Sequence, residues 1–233
     1  MGADRSSAQI QKFESRTFSQ NGEDGVIAAI FDAIGSTNQY VVEFGAGVGG
    51  EECNTRLLIE QGWTGLRMDG VDQPEPSDIR QEFITAENIN ELFVKYAVPD
   101  EFDLLSIDID SNDYWILRAI DERYRPRVLV MEYNASLGPV ARKTIPYDPN
   151  HVWDVSSFYG ASLGALAAAA GDRGYSLIGC ERVGVNCFFV RNDCLTGFDA
   201  LTVEEAFVPP GYGIVRDGVH IGFSPSGREY VDV

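Results

Sequence analysis

Between Tyr40 and Gly50 the chain reads Tyr-Val-Val-Glu-Phe-Gly-Ala-Gly-Val-Gly-Gly, a short apolar run that ends in an acid and then in glycines at 45, 47, 49 and 50. An apolar β-prone run followed by such a cluster predicts a buried strand that feeds a tight loop and then a helix. Glycines permit positive φ and leave the main chain bare, so a ligand can lie directly against the loop. The rest of the chain is therefore read outward from this turn.

Two ligand classes fit it. Gly45-x-Gly47-x-x-Gly50 matches a dinucleotide fingerprint, and Glu43-x-Gly45-x-Gly47-x-Gly49 matches an S-adenosylmethionine loop. A dinucleotide seats its pyrophosphate on the first turn of the next helix, expected at about Glu52 to Gln61. That turn carries Glu51 and Glu52, whose charge repels phosphate and suits a sulfonium cation. Asp69 ends the next predicted strand, Gly65 to Met68, 22 residues after Gly47, where a carboxylate can accept both ribose hydroxyls. A ribose is common to both cofactors, so Asp69 does not choose between them.

Three segments carry a resemblance: Ser19-Gln20-Asn21-Gly22-Glu23-Asp24, Glu43-Phe44-Gly45-Ala46-Gly47 and Ser106-Ile107-Asp108-Ile109-Asp110. Over about residues 18 to 192 the chain resembles the class I S-adenosylmethionine-dependent methyltransferases, and within them the FkbM-type group. The later strand of that group usually ends in Asp-x-Glu-Gly, whereas here the run is Asp108-Ile109-Asp110-Ser111-Asn112-Asp113. The resemblance implies a Rossmann-like α/β fold: a mainly parallel, twisted seven-stranded sheet with a C-terminal antiparallel hairpin and helices on both faces. It also implies cofactor contacts from Gln20, Glu43, Gly45, Ala46, Gly47, Asp69 and Asp108, with Ala86, Glu87 and Asn88 on the adenine side. Plain helix capping is an equal alternative for Gln20 and Asn21, and for Thr85 to Asn88.

One domain is expected of 233 residues that are 44% hydrophobic, arranged as an arm and helix (1–35), a core (36–192) and an extension (193–233). Residues 1–17 read as an irregular arm or frayed helix. Apolar positions at Val26, Ile27, Ile30, Phe31 and Ile34 predict a helix over Gly22 to Ile34. A third strand is expected at Gln81 to Ile84, another at Phe102 to Ile109, and another from Arg127 to Asn134. Ser162 to Ala170 reads as a helix closed by Gly171 and Gly174, and Tyr175 to Cys180 with Asn186 to Arg191 as a hairpin turning at Val183-Gly184. The extension is expected to cap the active site or to mediate homodimerisation.

Alternation along a strand puts Asp108 and Asp110 on one face, roughly 6 to 7 Å apart at Cα, and likewise Glu132 and Asn134. Ligands of open parallel sheets bind at the carboxyl ends of the strands, so these four groups are expected in one cleft. Four hard oxygen groups suit Mg²⁺. The same groups also suit a metal-free site, one acid binding the cofactor's ammonium and another serving as base. Asp110 and His151 are the candidate catalytic bases. The long aromatic connection from Ala135 to Tyr159 reads as a lid, and Tyr133, Asn134, Tyr147, Trp153 and Tyr159 are the expected small-molecule contacts.

Acidic residues outnumber basic ones 36 to 18, for a formal charge of -18, which repels phosphate backbones and anionic lipid and excludes nucleic acid as the expected partner. Cys53, Cys180, Cys187 and Cys194 form no Cys-x-x-Cys pair and only two histidines are present, so zinc is not expected. Thiols of this kind, with no signal-peptide core or membrane span, are those of a cytoplasmic protein.

Overall fold

The computed structural model describes residues 5–233; the first four residues of the arm lie outside the described part. In chain order the elements are α1 (Ala8–Gln11), α2 (Glu23–Ile34), β1 (Tyr40–Phe44), α3 (Arg56–Glu60), β2 (Thr64–Asp69), β3 (Ile79–Gln81), α4 (Ile89–Lys95), β4 (Glu101–Ile107), α5 (Asp113–Ala119) and β5 (Arg125–Glu132). Then come β6 (Lys143–Thr144), α6 (Leu163–Asp172), β7 (Tyr175–Cys180), β8 (Asn186–Arg191), α7 (Val203–Ala206), β9 (Val215–Arg216), β10 (Val219–His220) and β11 (Val231–Asp232). Seven strands form one sheet in the order β3-β2-β1-β4-β5-β8-β7. All pair in parallel except β8, which runs antiparallel to both β5 and β7. This is the Rossmann-like arrangement of the methyltransferase fold, with its terminal reversed strand.

The alternation of side chains builds two cores. Val42, Phe44, Leu105, Ile107 and Leu129 pack on one face with α4, α5 and α6. Val41, Leu104, Val128 and Val130 pack on the other with α1, α2 and Leu58 of α3. Coverage of both faces explains the continuous apolar runs Val41-Val42, Leu104-Leu105 and Val128-Leu129-Val130-Met131 within β1, β4 and β5. Among the described residues no helix is long and apolar enough to cross a membrane. Cys53, Cys180 and Cys187 are buried free thiols and Cys194 is partly exposed.

Several boundaries differ from the sequence expectation. The helix expected from about Glu52 is confined to Arg56–Glu60, so Glu51 and Glu52 do not sit on its first turn. Its start is set by Glu43, whose carboxylate accepts the N–H groups of Asn54 (2.7 Å) and Thr55 (3.2 Å) and the Thr55 hydroxyl (2.5 Å). The third strand is displaced to Ile79–Gln81 by its parallel register with Arg67–Asp69. β4 ends at Ile107, and α6 runs on through Gly171 to Asp172 from its Ser162 cap.

Both ends of the described part of the chain are docked on the fold. The α1 segment docks on β7: the Ser7 hydroxyl accepts the Cys180 N–H at 2.8 Å and donates to the Ala206 carbonyl at 2.6 Å, with Ile10 fully buried. At the other end β11 pairs with β6 in the lid, and Phe223 packs on Trp153 at 4.7 Å between ring centroids. The extension thus forms the back of the lid.

Candidate functional site

The C-terminal ends of β1, β2 and β4 open onto a cleft of about 560 Å³, a size typical of small-molecule sites. Of the residues singled out in the sequence, Gln20, Gly45, Gly47, Asp69, Asp108, Asp110, His151 and Trp153 line it. Glu51 and Glu52 line it as well, although from a loop, and no lysine or arginine does among the described residues.

The nucleoside-sized side of the cleft is held by its own hydrogen bonds. Asp69 accepts the Gly47 N–H at 2.8 Å and the Val71 N–H at 2.9 Å, and Gln73 bridges the Gly49 N–H and the Gly47 carbonyl. Gly45 has φ of 75°, and a Cβ there would lie 1.5 Å from the Asp108 carbonyl oxygen. That glycine is required by the approach of the β1 and β4 tips, before any ligand is considered. Glu43 and Ala46 lie behind the loop: Glu43 is occupied by Asn54 and Thr55, and the Ala46 carbonyl accepts the Cys53 thiol at 3.0 Å. An anion approaching the start of α3 would meet the Glu43 carboxylate already there.

Downstream of β3 the lining is Glu82, Phe83 and Ile84. Ala86, Glu87 and Asn88 turn away, because Asn88 and Thr85 bond each other and the Tyr147 hydroxyl accepts the Ala86 N–H at 3.0 Å and donates to Glu87. With β3 beginning two residues earlier than expected, the lining falls four residues earlier, on Glu82 to Ile84. Phe83, half exposed, and Val71 offer the apolar surface beside Asp69.

On the other side of the glycine loop stand the acids. Carboxylate oxygens of Asp108, Asp110 and Glu132 all lie within 4.8 Å of one another. Strand alternation does not bring this about: both aspartates lie past β4, and Asp110 takes a left-handed φ of 53°. The turn is held by Asp113, which accepts the N–H groups of Ile109 (2.9 Å) and Ser111 (3.0 Å). Burial, and then the neighbouring negative charges, push Asp108 and Glu132 well above the ordinary carboxylate range. Asp110 is raised to about 6 by burial and by the charges of Asp113 and Asp69. Glu132 Oε2 is buried with no partner. Crowded carboxylates with an orphaned oxygen fit a hard divalent cation.

Asn134 does not join them. Its amide nitrogen donates to the Ser157 carbonyl (2.8 Å), the Tyr159 carbonyl (3.1 Å) and the Tyr230 hydroxyl (3.2 Å), while its oxygen accepts the Ser136 N–H (3.2 Å). It fastens the lid to the strand. Tyr133 is buried with its hydroxyl on the Val208 carbonyl at 2.7 Å, Tyr159 bonds Tyr212 at 2.7 Å, and Tyr147 holds the 86–87 turn. None of these three tyrosines lines the cleft, and of the expected acceptor contacts Trp153 alone does.

His151 faces the cleft with Nε2 buried and unpartnered. Its Nδ1 lies 2.9 Å from Ser111 Oγ, which is also 3.3 Å from the His151 carbonyl oxygen. Donation from Ser111 to that carbonyl leaves its oxygen to accept Nδ1–H, and Nε2 then carries the lone pair. Burial and the Arg228 charge lower the imidazole pKa, so the ring is neutral at pH 7. Ser111, Asn112 and Asn186 line the cleft without having been singled out in the sequence.

No family model matches the chain, and no curated protein matches it. Solved structures do. One is an S-adenosylmethionine-dependent methyltransferase from Clostridium acetobutylicum ATCC 824, similar at a TM-score of 0.41 and 9% identity over 79% of this chain and 92% of that one. Another is the MycE methyltransferase from the mycinamycin biosynthetic pathway, in complex with Mg and SAH, at 0.34 and 17% over 67% of this chain and 43% of that one. The CMeT domain of the citrinin polyketide synthase gives 0.34 and 12% over 66% and 46%. At this level of likeness the chemistry of the cleft has to be read from its own residues.

Proposed function

We propose that the chain is an S-adenosylmethionine-dependent methyltransferase of the FkbM-like kind, acting in the cytoplasm on the oxygen or nitrogen of a small molecule. The observation that supports this most is a cleft at the strand ends that joins the glycine loop and Asp69 to a cluster of acids and contains no basic lining residue among those described. Negative lining attracts a sulfonium nucleoside and opposes a diphosphate. Bound there, S-adenosylmethionine supplies a methyl group on a positively charged sulfur.

Asp69 would hold the ribose, since a carboxylate accepting two N–H bonds retains lone pairs for hydroxyls. Phe83 and Val71 would flank the base, and Gln20 with Asp108 would face the amino-acid end. Asp108, Asp110 and Glu132 would hold a cation such as Mg²⁺, which orients and polarises an acceptor hydroxyl. With those acids ligated, His151 Nε2 is the group left to take the proton; in a metal-free site Asp110 takes it. The lid, which brings His151, Val152 and Trp153 to the cleft, would hold the nucleophile in line, and most of the acceleration would come from positioning.

The test is incubation with methyl-labelled S-adenosylmethionine, with and without a panel of hydroxylated and amine acceptors. Acceptor-dependent formation of S-adenosylhomocysteine supports the reading. Methylthioadenosine released with no acceptor present would instead identify a lyase or cyclase acting on the cofactor's own side chain.

A further inference from the structure

Three buried oxygens near the acids lack partners among the described residues, Asn112 Oδ1, Glu132 Oε2 and Asn186 Oδ1, and the last two belong to neighbouring strands. Glu132 and Asn186 stand directly opposite each other in the antiparallel β5–β8 pair. Opposed residues project their side chains to the same face, with Cβ atoms about 4.5–5.5 Å apart. Glu132 belongs to the group with Asp108 and Asp110, and Asn186, only 2% exposed, lines the same cleft. An orphaned buried acceptor costs about 1–3 kcal/mol; Glu132 has the Asp108 carboxyl beside it, whereas Asn186 Oδ1, on the wall of the cleft, has no partner and is free to accept from or ligate a bound group.

The orientation of the amide is fixed from behind. Asn186 Nδ2 donates to Glu23 Oε1 at 2.8 Å, and Glu23, fully buried, takes the Asn21 N–H on Oε2 at 2.7 Å. The amide nitrogen is thereby committed to the start of α2, which turns Oδ1 to the opposite side. This gives Glu23, within the Ser19–Asp24 segment, a task that capping alone does not explain.

We propose that Asn186 supplies the neutral oxygen of a divalent-cation site whose charged ligands are Asp108, Asp110 and Glu132. The inference rests on the cation reading above and adds to it a ligand from the reversed strand β8. Hard cations take oxygen donors of either charge, and a fourth carboxylate would add repulsion that a neutral amide oxygen avoids. Asn134, at the strand tip, has both amide atoms bonded within the lid.

The experiment is titration of the full chain with Mn²⁺, read by calorimetry and by the electron paramagnetic resonance of free Mn²⁺, with Mg²⁺ as competitor. The wild type is expected to take up one ion, and Asn186→Ala and the similarly sized but apolar Asn186→Leu each to bind it about tenfold or more weakly. Thermal melts without metal establish that each variant is folded. Equal affinity of the alanine variant and the wild type would overturn the role of Asn186 and leave the acid trio standing. Absence of uptake by the wild type would overturn both. Should the alanine variant not fold, the leucine variant decides: a loss of tenfold or more supports the proposal, and affinity equal to the wild type overturns it.

Discussion

The two sides of the cleft are built on opposite principles. Around the glycine loop nearly every polar group is already matched within the chain: Asp69 by Gly47 and Val71, Gln73 by Gly47 and Gly49, Glu43 by Asn54 and Thr55. Across from it, Asp108, Asp110 and Glu132 crowd together with raised pKa values, and Glu132 Oε2, Asn186 Oδ1 and His151 Nε2 have no partner. One side is a finished scaffold that a ligand lies against. The other lacks partners that a ligand can supply.

The largest test of this contrast is Gly45→Ala. Its Cβ would run into the Asp108 carbonyl at a positive φ, so unfolding in urea is expected to show a loss of about 4 kcal/mol or more, or no folded protein. A near-neutral result would mean that the glycine loop is not set by the chain's own backbone.

Next comes the acid side. Without metal, Asp110 has a folded pKa of about 6, above its ordinary value. The folded state therefore binds more protons than the unfolded state between about pH 4 and 6. Stability is full below that window and is lost as pH rises through 6, by on the order of 3 kcal/mol for this residue, about half of it above pH 5. Denaturation measured at pH 5 and pH 8 should show the loss, Asp110→Asn should remove most of it, and Mg²⁺ should restore stability at pH 8. Stability that rises from pH 5 to pH 8 without metal would contradict the crowding of these acids.

On the finished side, Glu43→Gln replaces an acceptor-only group by one that must also present N–H to donors. The expected cost is about 1–2 kcal/mol in urea unfolding, because the Asn54 and Thr55 groups then compete for a single oxygen. The smallest effect belongs to Tyr147→Phe. It removes one part-exposed hydroxyl from the Ala86–Glu87 turn, and stability should fall by no more than about 1 kcal/mol, with hydrogen exchange accelerated locally at Ala86.

Sheet and helices were legible because the periodicities of buried strands and amphipathic helices are local. Glu23–Ile34, Tyr175–Cys180 and Asn186–Arg191 fall where their apolar patterns put them. The helix after the glycine loop was misplaced because its start is set by Glu43, a residue on another element. The loop after β3 was misassigned because a three-residue strand takes its register from its neighbour. Asp108, Asp110 and Glu132 were found as acids at strand ends, although the left-handed turn at Asp110 that brings them together is invisible to strand alternation. Asn134 was assigned by the same alternation, while the lid that claims its amide is far away in sequence. Asn186 carries one local signal in the sequence, a polar residue opening the apolar run Asn-Cys-Phe-Phe-Val, and its place opposite Glu132 is set by strand pairing that the sequence does not display.

The central claim is that the acid-lined cleft accepts a cationic nucleoside and turns away one bearing a diphosphate. Calorimetric titration of the same preparation with S-adenosylmethionine and with NAD tests it most directly. The account predicts saturable one-to-one binding of S-adenosylmethionine, weakened by substitution of Asp69, and no detectable heat from NAD. Binding of NAD more tightly than S-adenosylmethionine would contradict it.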